Sequence, residues 1–268
     1  MFYATGSSGT IGRHLPSNFQ SIDVDLGSPK SINSIVFERG SRLIHLAGIV
    51  GAEQVKNNLE LANRVNVGGS VMLAQKFLES DGDLFIYVSS SHVYKSSEDL
   101  IGEDFPINPL SLYAEQKVAV EMSLQEMFSN YMNKLSIVRV FSILDWNVNQ
   151  FTLGGAVRKI REQQSDISIK NSDDIRDFTT PLKTAMALAK IAEVRVSGIT
   201  NLCTGIGQSI SSAVTTMLRL SNYEVPQGVL ISGHSDIPQL VGNPSRLLRK
   251  VPQINLDWNP KLTIDQKC

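Results

Sequence analysis

Cysteine is nearly absent from this chain. Only Cys203 and Cys268 occur among 268 residues, too few and too far apart for a disulfide scaffold or a zinc knuckle. Long apolar runs are missing too: none approaches the roughly 18–20 residues that a membrane-spanning helix needs. The N-terminus lacks the charged start, apolar stretch and small-residue cleavage site of a signal peptide. Neither sign of charge dominates. The formal net charge is −1, and without a dense Lys/Arg stripe nucleic acid is not an expected partner. With 42% apolar and 19% charged residues, the composition is that of a soluble globular protein. A cytoplasmic location, no membrane and no metal site are expected.

Apolar strand-like runs alternate with helical stretches. Met1–Ala4, Ser21–Leu26, Arg42–Ala47, Leu84–Val88 and Leu135–Leu144 read as strands. Between them lie a short helix near Leu15, a helix of roughly two dozen residues ending near Glu79 and a helix over Ser111–Met127. This βαβα order predicts an α/β fold with a doubly wound (Rossmann) parallel sheet. From Asp145 onward apolar runs shorten and polar turns multiply. A helix over Pro181–Val194 and a returning strand at Gly198–Cys203 follow, and the last stretch carries Pro226, Pro238, Pro244, Pro252 and Pro260. The expected organisation is a dinucleotide-binding domain over residues 1–145, with a return segment near 176–204. A smaller, partly interleaved substrate domain fills 146–268. There are no internal repeats or low-complexity tracts.

Glycine is the costliest residue to order, yet "YATGSSGTIGRHL" places Gly6, Gly9 and Gly12 at a three-residue spacing. After a strand and before a helix, such a turn is an anion site. Gly6 permits the turn, Gly9 lets a pyrophosphate approach the backbone, and Gly12 lets helix and strand pack. Ser7, Thr10 and Ile11 share the loop. Asp23 or Asp25, at the second strand, is the acid expected to accept from the adenosine ribose hydroxyls, which favours NAD over NADP. Arg13 and Arg39 read either as solvated surface charge or as partners for a 2′-phosphate.

Of six tyrosines, only Tyr113 has a lysine four residues on, in "YAEQK" ending at Lys117. On a helix both side chains share one face. A nearby ammonium stabilises phenolate, so the Tyr113 pKa is expected to fall from about 10 toward working pH. Ser89-Ser90-Ser91-His92 close the strand before this helix, at the sheet edge where ligands bind. A serine there can hydrogen-bond a reacting oxygen.

Together with "TGSSGTIG", "HLAG" (His45–Gly48), "NVGGS" (Asn66–Ser70), "SSSHVY", "RVFSIL" (Arg139–Leu144), "RDFTT" (Arg176–Thr180) and the late "NPSRLLR…LDWNP" (Asn243–Pro260), these motifs identify a resemblance. The chain resembles the extended short-chain dehydrogenase/reductases of the NAD-dependent epimerase/dehydratase family, which act on nucleotide-activated sugars. The resemblance implies that Tyr113 is the catalytic acid/base, that Lys117 holds the nicotinamide ribose, and that Ser90 is the catalytic hydroxyl. It implies that Leu46, Ala47 and Gly48 line the cofactor, that Asn66 braces the surrounding loops, and that Arg176 contacts the sugar nucleotide. It also implies a homodimer built on the helices near 66–79 and 111–127.

Four departures shape the functional reading. The segment between the glycine loop and "HLAG" is short, so "DVDL" is either the ribose acid (Asp23) or the adenine-flanking pair (Asp25, Leu26). Ser91 and His92 stand where the family's dehydratases carry Asp-Glu, which disfavours 4,6-dehydration. His92 occupies the place of a second acid/base in some relatives, and serves either that role or a hydrogen bond to the sugar. Ser142 replaces a frequent Asn in a loop lining the substrate. His45 reads as a satisfied buried histidine; His14 and His234 carry no signal. The expected reaction is NAD(P)-dependent reduction at C4 of a nucleotide-linked 4-keto-(6-deoxy)hexose. The alternatives are a C4 epimerase with tightly held NAD, a reductase of a small ketone or lactone, and a non-catalytic dinucleotide sensor.

Overall fold

The computed structural model describes residues 1–146, 152–162 and 167–258. Six strands form one all-parallel sheet: β1 (Phe2–Thr5), β2 (Phe19–Ile22), β3 (Arg42–His45), β4 (Leu84–Ser90), β5 (Leu135–Val140) and, after an excursion into a second sheet, β8 (Gly198–Leu202). Their spatial order is β2-β1-β3-β4-β5-β8. Every residue of β4 and β5 is buried, as expected for a parallel sheet covered on both faces.

One face packs Ile44, Ile86 and Val138 against Leu188 and Ile191 of helix α7 (Pro181–Val194). The other packs Leu43, Phe85 and Ile137 against α1 (Pro29–Asn33), α4 (Ser70–Glu79) and α5 (Leu112–Met127). The helices of these layers are framed by side-chain caps. Ser111 Oγ accepts the Ala114 N–H at 3.2 Å at the head of α5. Thr180 caps α7 ahead of Pro181, a first-turn residue whose missing N–H costs nothing there.

Two expected elements are broken. The long helix ending at Glu79 is four pieces: α2 (Ala52–Asn57), α3 (Leu59–Ala62), a π-helical segment Asn63–Gly69, and α4. Asn58 leaves the helical region at φ −145° and caps the next turn. The long strand expected over 135–144 ends at Val140. After Phe141 the chain enters β6 (Ser142–Ile143) of a second sheet. That sheet contains β7 (Ile175–Thr179), β9 (Gly207–Ser209) and β10 (Gln239–Leu240), with β9 antiparallel to β7. Leu144, Trp146 and Phe178 form its core with α6 (Leu153–Arg161) and α8 (Ile210–Leu220). Helix α9 (Ser245–Lys250) returns Leu247 to the first core. Cys268, Asn259 and Pro260 lie outside the described residues.

The amino edge of the large sheet is fastened by charge. Arg42 donates to the carbonyls of Ala192 and Glu193 at the end of α7 and pairs with Asp83, which also receives Arg195. Lys134 and Arg39 share Asp81 on the same edge. The strands' opposite ends carry the motifs singled out above.

Candidate active site

The three glycines are not equivalent. Gly6 has φ +69°, and a Cβ there would come within 2.7 Å of the Ala47 nitrogen. A Cβ on Gly12 would come within 2.2 Å of the Gly6 carbonyl oxygen. Both are therefore explained by packing inside the protein. Gly9 is exposed and its Cβ would meet only the Gly6 oxygen, at a tight 3.1 Å, so crowding from within is far milder there than at Gly6 or Gly12. The backbone N–H groups of Ser7, Ser8, Thr10 and Ile11 have no acceptor among the described residues, whereas Gly9 N–H is spent on the Gly6 carbonyl. An open cradle of unpaired N–H groups fits a dinucleotide pyrophosphate.

The helix expected after this loop is a single 3-10 turn, Gly12–His14. Pro16 disfavours the helical region for the residue before it, and Leu15 turns extended at ψ 144°. The dipole of a full helix is therefore lacking, and anion binding falls to the loop's own N–H groups.

The segment expected to form a strand over 21–26 leaves the sheet at Ile22. Asp23 stands exposed at that carboxyl end with no partner among the described residues. Asp25 is committed to a turn: its Oδ1 accepts the Gly27 N–H at 2.9 Å, and its own N–H donates to Ser31 at 3.1 Å. Leu26 is buried so tightly that a Cβ on Gly69 would lie 2.4 Å from its carbonyl oxygen. Asp25 thus spends one carboxylate oxygen on its turn, whereas the Asp23 carboxylate has no partner among the described residues.

Leu46, Ala47 and Gly48 leave the end of β3 beside Gly6, and Asn66 holds the loop that follows. Its Oδ1 accepts the Ile49 N–H at 2.7 Å, and its Nδ2 donates to the Ile49 carbonyl and to Gln116 Oε1 at 2.9 and 2.8 Å. Gln116 in turn donates to Asn63 at 2.7 Å. The π segment thus joins the β3 loop to α5. His45 is enclosed, with Thr5 Oγ1 2.7 Å from Nδ1 and Ser70 Oγ 2.9 Å from Nε2. Burial drives its pKa down to about 3, with Lys117 adding to the fall, so it is a neutral structural residue.

Tyr113 and Lys117 share one face of α5, which packs on β4 and on the turn Ser91–Val93. The lysine Nζ lies 5.7 Å from the centre of the Tyr113 ring and 4.7 Å from that of Tyr87, and donates to the Val88 carbonyl at 2.8 Å. The expected lowering of the Tyr113 pKa is not found. Although half-buried by exposed area, the phenol is set among protein atoms that remove water, and burial pushes it up to about 12. Lys117 is pushed down to about 8 by burial, opposed by Glu121. Desolvation outweighs the cation here, and Tyr113 is a protonated phenol at neutral pH.

Ser90 Oγ accepts the His92 N–H at 3.2 Å, which leaves its own proton to donate. Ser91 is 1% exposed and its hydroxyl has no partner among the described residues; as placed, it presents no atom to a ligand. His92 is half-buried. Its pKa falls to about 4, first through burial and then through Arg176, whose charge it feels. It is a neutral hydrogen-bonding group at working pH.

Arg176, on β7, is largely enclosed. Its Nη2 pairs with Asp174 at 3.0 Å, and its Nη1 donates to the carbonyls of Ile175 and Pro238 at 2.9 and 3.4 Å. Ser142, half-buried on β6, pairs with Phe178. Sequence reasoning did not single out Gln116, Glu121 or Asp174. The first two occupy the inward positions of α5 shared with Val120 and Leu124, and a polar residue at such a position is the signal that marks them.

A glycine-lined turn and a Tyr/Lys helix over one edge of a parallel sheet define a dinucleotide-dependent protein of the short-chain dehydrogenase/reductase class. The family model described as "NAD dependent epimerase/dehydratase family" matches residues 3–203. The chain belongs to that family of NAD(P)-dependent nucleotide-sugar epimerases, dehydratases and reductases. It is 25% identical over 264 residues to the GDP-6-deoxy-D-talose 4-dehydrogenase of Aggregatibacter actinomycetemcomitans, covering 91% of this chain and 88% of that one. The UDP-glucose 4-epimerase of Azospirillum brasilense is 25% identical over 271 residues, covering 92% and 76%. RMD from Pseudomonas aeruginosa, solved with NADPH, superposes with a TM-score of 0.84 at 20% identity, covering 98% and 95%. Among the described residues no helix is long and apolar enough to cross a membrane.

Proposed function

We propose that this protein is an NAD(P)-dependent reductase acting on the C4 ketone of a nucleotide-activated (6-deoxy)hexose. The observation that carries the reading is the placement of Tyr113 and Lys117 on one face of α5, the helix packed over the strand end that bears Ser90. Reduction of a ketone needs an acid at the oxygen, and a phenol is protonated at neutral pH and can supply it. Tyr113 gives its proton to the C4 oxygen. Ser90, its lone pair engaged by the His92 N–H, donates to the same oxygen. When bound, the nicotinamide supplies the hydride. Ser7, Thr10 and Ile11 with Gly6, Gly9 and Gly12 hold the pyrophosphate, Asp23 takes the adenosine ribose, and Leu26 flanks the adenine. Leu46, Ala47 and Gly48 line the middle of the cofactor, and Lys117 directs its ammonium to the nicotinamide ribose. The free Asp23 carboxylate favours NAD, since a 2′-phosphate there meets like charge. His92, Ser142 and Arg176 face the sugar nucleotide. A homodimer through α4 and α5, where Met122 stands 65% exposed, belongs to the same reading.

The similarity to a UDP-glucose 4-epimerase supports a second reading, in which retained NAD oxidises and re-reduces the same C4. Mass spectrometry of the dinucleotide and sugar nucleotide kept by gently purified protein, followed by turnover of a ketosugar panel, separates the two. The reductase consumes one NAD(P)H per product; net consumption of none with interconversion of two sugars establishes the epimerase. Tyr113→Phe is expected to abolish either turnover while leaving cofactor affinity within about twofold. Unchanged turnover would overturn the assignment of the acid.

A further inference from the structure

Behind the proposed site lies a buried charge cluster to which the reaction assigns nothing. Glu121 is 3% exposed, one helical turn beyond Lys117 on α5. Arg139, on β5 and 4% exposed, grips it with Nη2 at 2.6 Å and Nε at 3.1 and 3.2 Å from its two oxygens. Ser89, the residue before Ser90, donates to Glu121 Oε1 at 2.5 Å. Arg139 also donates to Tyr94 Oη at 2.8 Å and to the Glu103 carbonyl at 3.1 Å. Tyr94 in turn donates to Asn201 on β8 at 2.7 Å. A buried pair on this scale is a poor source of stability, because desolvation offsets its attraction. Its placement is more informative. It joins the helix that carries Tyr113 and Lys117 to the strand end that carries Ser90, and its carboxylate is one turn from an ammonium otherwise held by one carbonyl.

We propose that Glu121 is a positioning residue for this site. Clamped by Arg139 and Ser89, its carboxylate fixes the end of β4 against α5 and serves Lys117 as counter-charge. The inference rests on the oxidoreductase reading for its purpose, though not for its test. The groups facing Lys117 are His45 from β3, Tyr87 from β4, and Tyr113 and Glu121 on α5. His45 is neutral and both phenols are held protonated by burial, so Glu121 is the anion among them. Arg139, already engaged by Glu121, stands behind it on β5.

The test is titration of the Lys117 side-chain nitrogen by ¹⁵N-lysine NMR in the cofactor-free protein, with Lys117→Met identifying its signal. Glu121→Gln is expected to lower the titration midpoint by at least about one pH unit. Ser89→Ala, which keeps the carboxylate, is expected to leave it within about 0.3 unit while lowering kcat several-fold at unchanged KM. Should Glu121→Gln fail to fold, Glu121→Gln with Arg139→Met leaves no lone buried charge, and the same downward direction is expected. An unmoved midpoint in the folded variant overturns the counter-charge role, and unchanged kcat in Ser89→Ala overturns the clamp. A wild-type protein that turns over no ketosugar refutes the proposed reaction, while the midpoint shift still decides whether Glu121 acts on Lys117.

Discussion

The unequal roles of the three glycines give the sharpest test of the cradle. Alanine at position 12 places a methyl 2.2 Å from the Gly6 oxygen and 2.6 Å from the Ser7 Cα, backbone atoms that cannot swing aside. Overpacking of this kind costs about 1–3 kcal/mol, and contact with main chain sets the upper end. For a chain of this size that is roughly 5–10 °C in Tm. Alanine at position 9 meets one atom at 3.1 Å and costs at most about 1 kcal/mol. Its methyl, however, projects into the path by which a pyrophosphate reaches the free N–H groups. Dinucleotide affinity should fall at least about tenfold, roughly 1.4 kcal/mol. Scanning fluorimetry of cofactor-free protein reads the first effect, and titration calorimetry with NAD and NADPH the second. The reasoning fails if Gly9→Ala melts as low as Gly12→Ala, or if it binds both dinucleotides as tightly as the parent.

Three further outcomes are expected. The native pKa values of His45 and His92, about 3 and about 4, lie below the unfolded value of about 6.5. The unfolded chain then binds more protons between about pH 6.5 and 4, so stability is lost as pH falls through that window. The slope is up to about 1.4 kcal/mol per pH unit for each histidine. Urea melts from pH 7 to 4.5 should show the slope reduced in His92→Asn, and stability that is flat with pH contradicts the burial of both rings. Arg176→Ala should raise KM for a nucleotide sugar about tenfold or more and leave NAD(P) affinity alone; steady-state kinetics check this, and unchanged KM removes the arginine from the sugar-nucleotide site. Asp23→Asn should bring the Kd values for NAD and NADP closer by at least about fivefold, and an unaltered ratio places the cofactor preference elsewhere.

Where the chain carries explicit stop and start chemistry, sequence and structure agree to a residue. The helix ranges over Ser111–Met127 and Pro181–Val194 hold in the structure, where Ser111 and Thr180 prove to be the caps, and the parallel order followed from the alternation of apolar runs. Hydrophobic pattern is blind to breaks inside an apolar run. "LSIVRVFSIL" holds no glycine or proline, yet it changes sheets at Phe141, and the helix before Glu79 contains a π segment that no periodicity announces. Spacing places Tyr113 beside Lys117 but does not report the burial of the two groups, which pushes the tyrosine pKa up rather than down. Asp23 and Asp25 differ in the turn that Asp25 builds, which spacing does not announce. Gln116 and Glu121 were hidden because their partners, Asn66 and Arg139, are distant in sequence.

The rivets of Arg42, Arg195, Lys134 and their aspartates sit on the edge of the sheet opposite the glycine turn and Ser90. The fasteners and the residues proposed to bind ligand thereby lie at separate borders. On the proposed reading, loops on the ligand border can change without loosening the fasteners. Such an arrangement suits a lineage whose members share a backbone and differ in what they transform.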